Sequence, residues 1–244
     1  MTSAQPLAIR AESLVKNYQT DWNGRRRRAL DGVSLAVPQG GVCGLVGPNG
    51  SGKSTTLKLL AGLLQPDAGM CELLGQPVAR TVAAGQVGYL PETPGLPEYL
   101  TGEEFLRELA QLSCRRSIDD QIACSLALVG LTAEAKRRVR EYSKGMRQRL
   151  GLAQAVLGDP TVVLLDEPAS GLDPRAADQL GDAIKQLRAQ GRTVLLTSHF
   201  LPQAEEWCDQ LVMLEKGRVV FDGSSAEVAD SGGLNKLFLE RTGP

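Results

Sequence analysis

Aromatic residues are scarce in this chain. They make up 4% of its 244 residues, against 42% hydrophobic residues overall. A core built from it is therefore mainly aliphatic, as buried parallel sheets tend to be. Charge of one sign is equally lacking: 27 basic residues face 28 acidic ones, for a net charge of −1. That balance gives no overall footprint for nucleic acid or an anionic membrane, and no nucleic-acid partner is expected. Long apolar runs are missing too, and none approaches the roughly 20 residues that span a bilayer. The opening MTSAQPLAIR has no apolar h-region, so no signal peptide is expected. Work at a membrane would need a partner to supply the membrane part. The five cysteines (Cys43, Cys71, Cys114, Cys124, Cys208) show no C-x-x-C spacing. They read as reduced thiols in a cytosolic protein, not as a disulfide frame or a metal site. There is a single histidine, His199, and no repeat, coiled coil or low-complexity tract.

What is present centres on GPNGSGKST, residues Gly47 to Thr55. It fits G-x-x-x-x-G-K-[ST] through Gly47, Gly52, Lys53 and Ser54. The glycines, with Pro48, Asn49, Gly50 and Ser51 between them, let backbone N–H groups curl around phosphate oxygens. Lys53 can reach the β- and γ-phosphates, and the Ser54 hydroxyl can ligate Mg²⁺. VCGLV (Val42–Val46) before the loop reads as a buried strand, and STTLKLLAGLL after it as a helix. Leu57, Leu60, Ala61 and Leu64 recur at i, i+3, i+4, i+7. Phosphates would then sit at a helix N-terminus, where dipole and free N–H groups favour anions.

The length suits one α/β domain. Residues 7–18 and 29–37 read as short strands around the turn-like QTDWNGRRRR. EYLTGEEFLRELAQL opens a helical region, with a capping box at Thr101 and Glu104 and with Phe105, Leu109 and Leu112 on one face. A second helix, about 118–129, repeats Ile118, Ile122 and Leu126, and a third begins near Ser143. The expected class is α/β: a mainly parallel sheet with an N-terminal antiparallel β-lobe and a helical insertion. TVVLL (161–165) and TVLLTS (193–198) continue the sheet around a helix of about 175–190, and LVMLEKGRVVFDG turns as a hairpin at Lys216–Gly217.

TVVLL ends in Asp166 and Glu167. A carboxylate at the C-terminal end of a parallel strand beside a P-loop can hold the Mg²⁺ shell, the role assigned to Asp166; Glu167 could polarise the attacking water. Solvated acids at a strand end are the bland alternative. Ser143 and Gly145 lie at a helix N-terminus that could bind a second phosphate, although Ser143 serves equally as a plain N-cap. His199 follows TVLLTS at the edge of the sheet, where a ligand crevice is expected; a polar loop residue is the alternative. Tyr18 could stack on a nucleotide base or pack on the β-lobe. The arginine run 25–28 reads as a solvated turn, the sharper alternative being a contact with lipid headgroups or nucleotide phosphate.

Together GPNGSGKST, VGYLPE, YSKGMRQRL, TVVLLDEP, SGLDP and SHF, in this order across about residues 7–223, resemble an ATP-binding-cassette (ABC) ATPase. The resemblance implies a RecA-like P-loop NTPase core in a single nucleotide-binding domain. Its β-lobe and core would be about 1–92 and 158–223, its helical subdomain about 93–157, and its tail 224–244 leaves little room for a regulatory domain. It implies ATP and Mg²⁺, and two copies facing head to tail with ATP between one P-loop and the other copy's YSKGM. By the same resemblance Tyr18 is the adenine-stacking aromatic, Ser143 and Gly145 contact phosphate, and Ser54, Asp166 and Glu92 serve the metal. Glu167 is the catalytic glutamate, Ser170 to Asp173 communicate across the dimer, and His199 is the switch histidine. Two positions depart from the family pattern. Glu92 stands where glutamine is common, and Tyr142, Lys144 and Met146 replace three positions of LSGGQ. VGYLPE with YSKGM is similar to export-type systems whose permease is a separate chain at the membrane, this subunit lying on the cytoplasmic face. The segment 92–112 would receive the permease's coupling helix. A soluble ABC ATPase of ribosome or DNA and a non-hydrolysing regulator are the competing readings.

Overall fold

The computed structural model describes residues 5–19, 26–113 and 117–242. Strands β1 (Leu7–Gln19) and β2 (Arg26–Pro38) pair antiparallel, burying Ile9, Ala11 and Leu14 against Leu30, Val33 and Leu35. Both strands run longer than the sequence reading placed them. Arg26, Arg27 and Arg28 belong to β2 and not to a solvated turn, while Arg25 and the rest of 20–25 lie outside the described residues. Strand β3 (Val42–Val46) is buried at every position. Helix α1 (Lys53–Leu60) leaves the P-loop, and Gly62 at φ +71° turns the chain just past its end. Only Gly and a few polar residues enter that left-handed region cheaply. Leu64 therefore lies beyond the helix, though it still packs on the core.

A short arm of β4 (Ala68–Leu73) and β5 (Gln76–Pro77) completes a four-stranded sheet in the order β2-β1-β4-β5, followed by α2 (Val78–Ala83). Strand β6 (Val87–Leu90) then leads into α3 (Gly102–Ser113), α4 (Ile118–Leu128) and α5 (Lys144–Val156). The capping box of α3 forms as expected. The Thr101 N–H donates to Glu104 Oε2 at 2.8 Å, and the Glu104 N–H donates to Thr101 Oγ1 at 3.2 Å. Its buried face differs from the expected one: Phe105, Leu106 and Ala110 are buried, whereas Leu112 is 85% exposed. At 100° per residue the buried face centres between Phe105 and Ala110. Leu112 falls at its margin and in the last turn.

The chain returns to the sheet through β7 (Val162–Leu165), α6 (Pro174–Ala189), β8 (Thr193–Ser198), α7 (Leu201–Trp207), β9 (Gln210–Glu215) and β10 (Arg218–Ser224). The hairpin β9–β10 turns at Lys216 and Gly217, both with positive φ, as its two-residue loop requires. Helices α8 (Ser225–Asp230) and α9 (Leu234–Thr242) follow, seated through Val228, Leu234 and Leu237. The second sheet is six-stranded, in the order β10-β9-β3-β8-β7-β6, and parallel except for its edge pair β9–β10. Parallel pairing brings the C-terminal ends of β3, β8, β7 and β6 to one edge. That edge carries the P-loop, His199, Asp166 with Glu167, and Glu92. Among the described residues no helix is long and apolar enough to cross a membrane.

Candidate nucleotide-binding site

The P-loop follows a path that side chains would block. A β-carbon on Gly47 would collide with the Leu214 carbonyl, and one on Gly52 (φ +113°) would lie 2.6 Å from Leu30 Cδ2 and 2.8 Å from the Ala29 oxygen. The bare backbone is thereby free to face a cavity of about 750 Å³ lined by Asn49, Gly50, Gly52, Lys53, Ser54 and Thr55. Lys53 is 5% exposed. Its ammonium donates to the Gly47 oxygen at 2.8 Å and the Pro48 oxygen at 3.3 Å, and lies 3.3 Å from Glu167 Oε1. Ser51 Oγ is buried and has no hydrogen-bond partner among the described residues.

Beside the loop stand two buried carboxylates with different partners. Asp166 Oδ1 accepts from Ser54 Oγ at 2.9 Å and from Thr197 Oγ1 at 2.8 Å. Glu167 holds a left-handed backbone at φ +46°, a conformation costly for a residue with a β-carbon. It is pinned there by its N–H donating to Thr197 Oγ1 at 2.7 Å. Its Oε2 lies 2.7 Å from His199 Nδ1 and accepts from the His199 N–H at 3.2 Å. Lys53, Glu167 and His199 thus form one continuous chain of polar contacts. Burial and the neighbouring Asp166 charge push the Tyr89 phenol up to about 12, so it stays protonated.

Thr197 is the residue that sequence reading missed. It is fully buried in β8 and touches both carboxylates' segments. A hydroxyl directly after the apolar run VLL, still inside a buried strand, was the available signal. Thr197→Val keeps the shape but strands the buried Glu167 N–H and removes a donor from Asp166. The expected loss is about 1–3 kcal/mol of stability. An unchanged denaturation midpoint would contradict this account.

The other candidates divide by position. Tyr18, on β1, lines the cavity; its hydroxyl is 3.4 Å from Thr55 Oγ1 and the residue is 37% exposed. Glu92, just past β6, and Ser170 line the same cavity. Ser143 and Gly145 do not. Ser143 caps α5, accepting from the Met146 N–H at 3.2 Å, and a β-carbon on Gly145 would lie 2.8 Å from Ala176 Cβ. Asp173 caps α6 by accepting from the Ala176 N–H at 2.8 Å. The oxygen donors Ser54, Asp166 and Glu92 are hard ligands of the kind that suit Mg²⁺, which takes few protein ligands and completes its shell with phosphate and water oxygens. The donor set fits that ion.

The family model described as ABC transporter matches residues 30–170. The chain belongs to the ABC transporter family. An uncharacterized ABC transporter ATP-binding protein of Nostoc sp. is 44% identical over 94% of this chain and 70% of its own length. The Nod factor export ATP-binding protein I of Paraburkholderia xenovorans is 37% identical over 94% of this chain and 75% of its own. A solved ATP-binding subunit of an ABC transporter matches with a TM-score of 0.83 at 31% identity, covering 96% of this chain and 99% of its own. A dimeric ATP-binding cassette bound to ADP and Pi matches in fold, with a TM-score of 0.78 at 22% identity over 89% of this chain and 98% of its own. The protein is an ABC transporter ATP-binding subunit, and its α/β fold is that of the P-loop cassettes.

Proposed function

We propose that this subunit is the ATP-hydrolysing motor of a membrane exporter, working as a pair of cassettes on a separate permease. The observation that carries the reading is the linked set Lys53–Glu167–His199 beside Ser54–Asp166, at one sheet edge around the P-loop. ATP would lie along the cavity with its base on Tyr18 and its phosphates on the amides of Gly50 to Thr55. Lys53 exchanges Glu167 and the loop carbonyls for phosphate oxygens. Glu167, so released, accepts a proton from the attacking water while His199 orients its second oxygen. The water oxygen bonds to the γ-phosphorus as the bond to the β–γ bridging oxygen breaks, yielding ADP and phosphate. Ser54, Asp166 and Glu92 would hold a Mg²⁺, which would supply charge neutralisation on the phosphates.

Dimerisation is supported by what one chain leaves open. Ser143 and Gly145 head a helix whose N-terminus can bind anions, yet they lie outside the chain's own cavity. A second copy in head-to-tail arrangement brings them onto the phosphates. The whole chain acts as one nucleotide-binding domain, with residues 93–157 as the subdomain that meets the permease at the cytoplasmic face. The export direction rests on the likeness to the Nod factor export relative.

The test is a pull-down of tagged Glu167→Gln protein with ATP from gently solubilised membranes, identified by mass spectrometry. A stoichiometric polytopic membrane protein is the expected partner. Recovery of ribosomal or DNA-associated proteins alone would move the assignment to a soluble ABC ATPase.

A further inference from the structure

The arginine run separates by register. Tyr18 pairs with Arg27 across β1 and β2, and Asn17 with Arg28. Directly opposed residues of an antiparallel pair project from one face, and the adjacent pair from the other. On the outer face Asn17 Nδ2 donates to Asp67 Oδ2 at 2.9 Å and Arg28 Nη1 to Asp31 Oδ1 at 2.7 Å. Tyr18 and Arg27 project from the opposite face, where both line the P-loop cavity. A β-carbon on Gly50 would lie 2.7 Å from Arg27 Nη2, so the guanidinium rests against the phosphate loop itself.

Charge accounting makes this placement informative. The cavity's charged lining is Arg27 and Lys53 against Glu92 and Glu167. Asp166 lies just beneath, bonded to Ser54. Lys53 is already engaged by Glu167 at 3.3 Å, whereas among the described residues no hydrogen bond or ion pair holds Arg27. A triphosphate carries more negative charge than Lys53 and a single Mg²⁺ can offset while three carboxylates surround the site. An uncommitted guanidinium, with its planar fork of donors, is suited to phosphate oxygens.

We propose that Arg27 binds the phosphate chain of the nucleotide from the β-lobe side, closing the cavity between Tyr18 and Gly50. The contact requires Gly50, since a side chain there would occupy the guanidinium's place. This inference rests on the ATP-binding reading of the same cavity.

The experiment is a fluorescence titration of the full-length protein with ATP and Mg²⁺, at low and at high salt. Arg27→Ala and Arg27→Gln should raise the Kd for ATP about tenfold at low salt, a charged hydrogen bond discounted for its exposure. The deficit should shrink as salt screens the charge. Arg27→Lys should recover a substantial part of it, and Arg28→Ala should bind as wild type. Wild-type affinity in both neutral variants would overturn the proposal. So would a deficit in Arg27→Ala that does not shrink with salt, because charge would then not be what matters. A wild-type protein that fails to bind ATP would overturn the nucleotide reading itself, an outcome distinct from either.

Discussion

Glu167→Gln will slow ATP hydrolysis by about 10²–10⁴-fold, the range of general-base assistance, and will leave ATP binding intact. The amide matches the carboxylate in shape and keeps an oxygen to accept from the His199 N–H, so the segment after β7 stays in place. Its backbone at φ +46° costs Gln no more than Glu. The thermal midpoint should fall less than in Lys53→Ala, because Lys53 keeps its bonds to the Gly47 and Pro48 carbonyls when its ion pair is lost, and the lost activity is not lost folding. Two things do change. The amide cannot take a proton from water, and the ion pair to Lys53 at 3.3 Å disappears. Because that pair holds Lys53 away from phosphate in the empty site, its loss favours ATP. The variant should accumulate as an ATP-bound dimer in saturating ATP and Mg²⁺, read by size-exclusion chromatography beside phosphate release. A variant that stays monomeric under those conditions contradicts the two-site sandwich, whatever its hydrolysis rate.

Legibility in the sequence followed the range of the interactions involved. VCGLV, VVLL and TVLLTS are buried at every position and announce central strands by composition alone. Thr101 with Glu104, and Lys216 with Gly217, are local devices whose partners lie within a few residues. The β4–β5 arm, α2 and the closing helices α8 and α9 escaped because each is short, and the arm is also held by distant contacts; the Ser224–Glu227 capping box of α8 was the local signal available there. The arm's register on β1, for instance, joins Ile9 to Leu73. The site divides in the same way. GPNGSGKST is contiguous and was read residue by residue. Thr197 was not, because its importance lies in bonds to Asp166 and Glu167 across a sheet. In sequence the run containing Arg27 has the look of a solvated turn. Only the pairing with Tyr18 separates Arg27 from Arg28.

Lys53→Ala will weaken ATP binding by about 10- to 100-fold, the equivalent of about 1.5–3 kcal/mol for hydrogen bonds to a charged group. The value is not reduced by solvent screening as it is for Arg27, since Lys53 is 5% exposed. Its ammonium sits between the Gly47 and Pro48 carbonyls, a position that alanine leaves empty. A second effect acts in the empty protein. Removing the ammonium leaves Glu167 buried with only His199 beside it, and breaking a buried pair is costly. The stability of the empty variant should fall, and the destabilised empty state would by itself make any ligand that restores charge balance bind relatively better. ATP brings only more negative charge, so this term opposes binding as well. Titration of the variant with ATP, paired with its thermal denaturation, separates the two. Wild-type ATP affinity in Lys53→Ala would show that the phosphates do not sit on this loop, and the roles assigned to Ser54, Asp166 and Glu167 would fall with it.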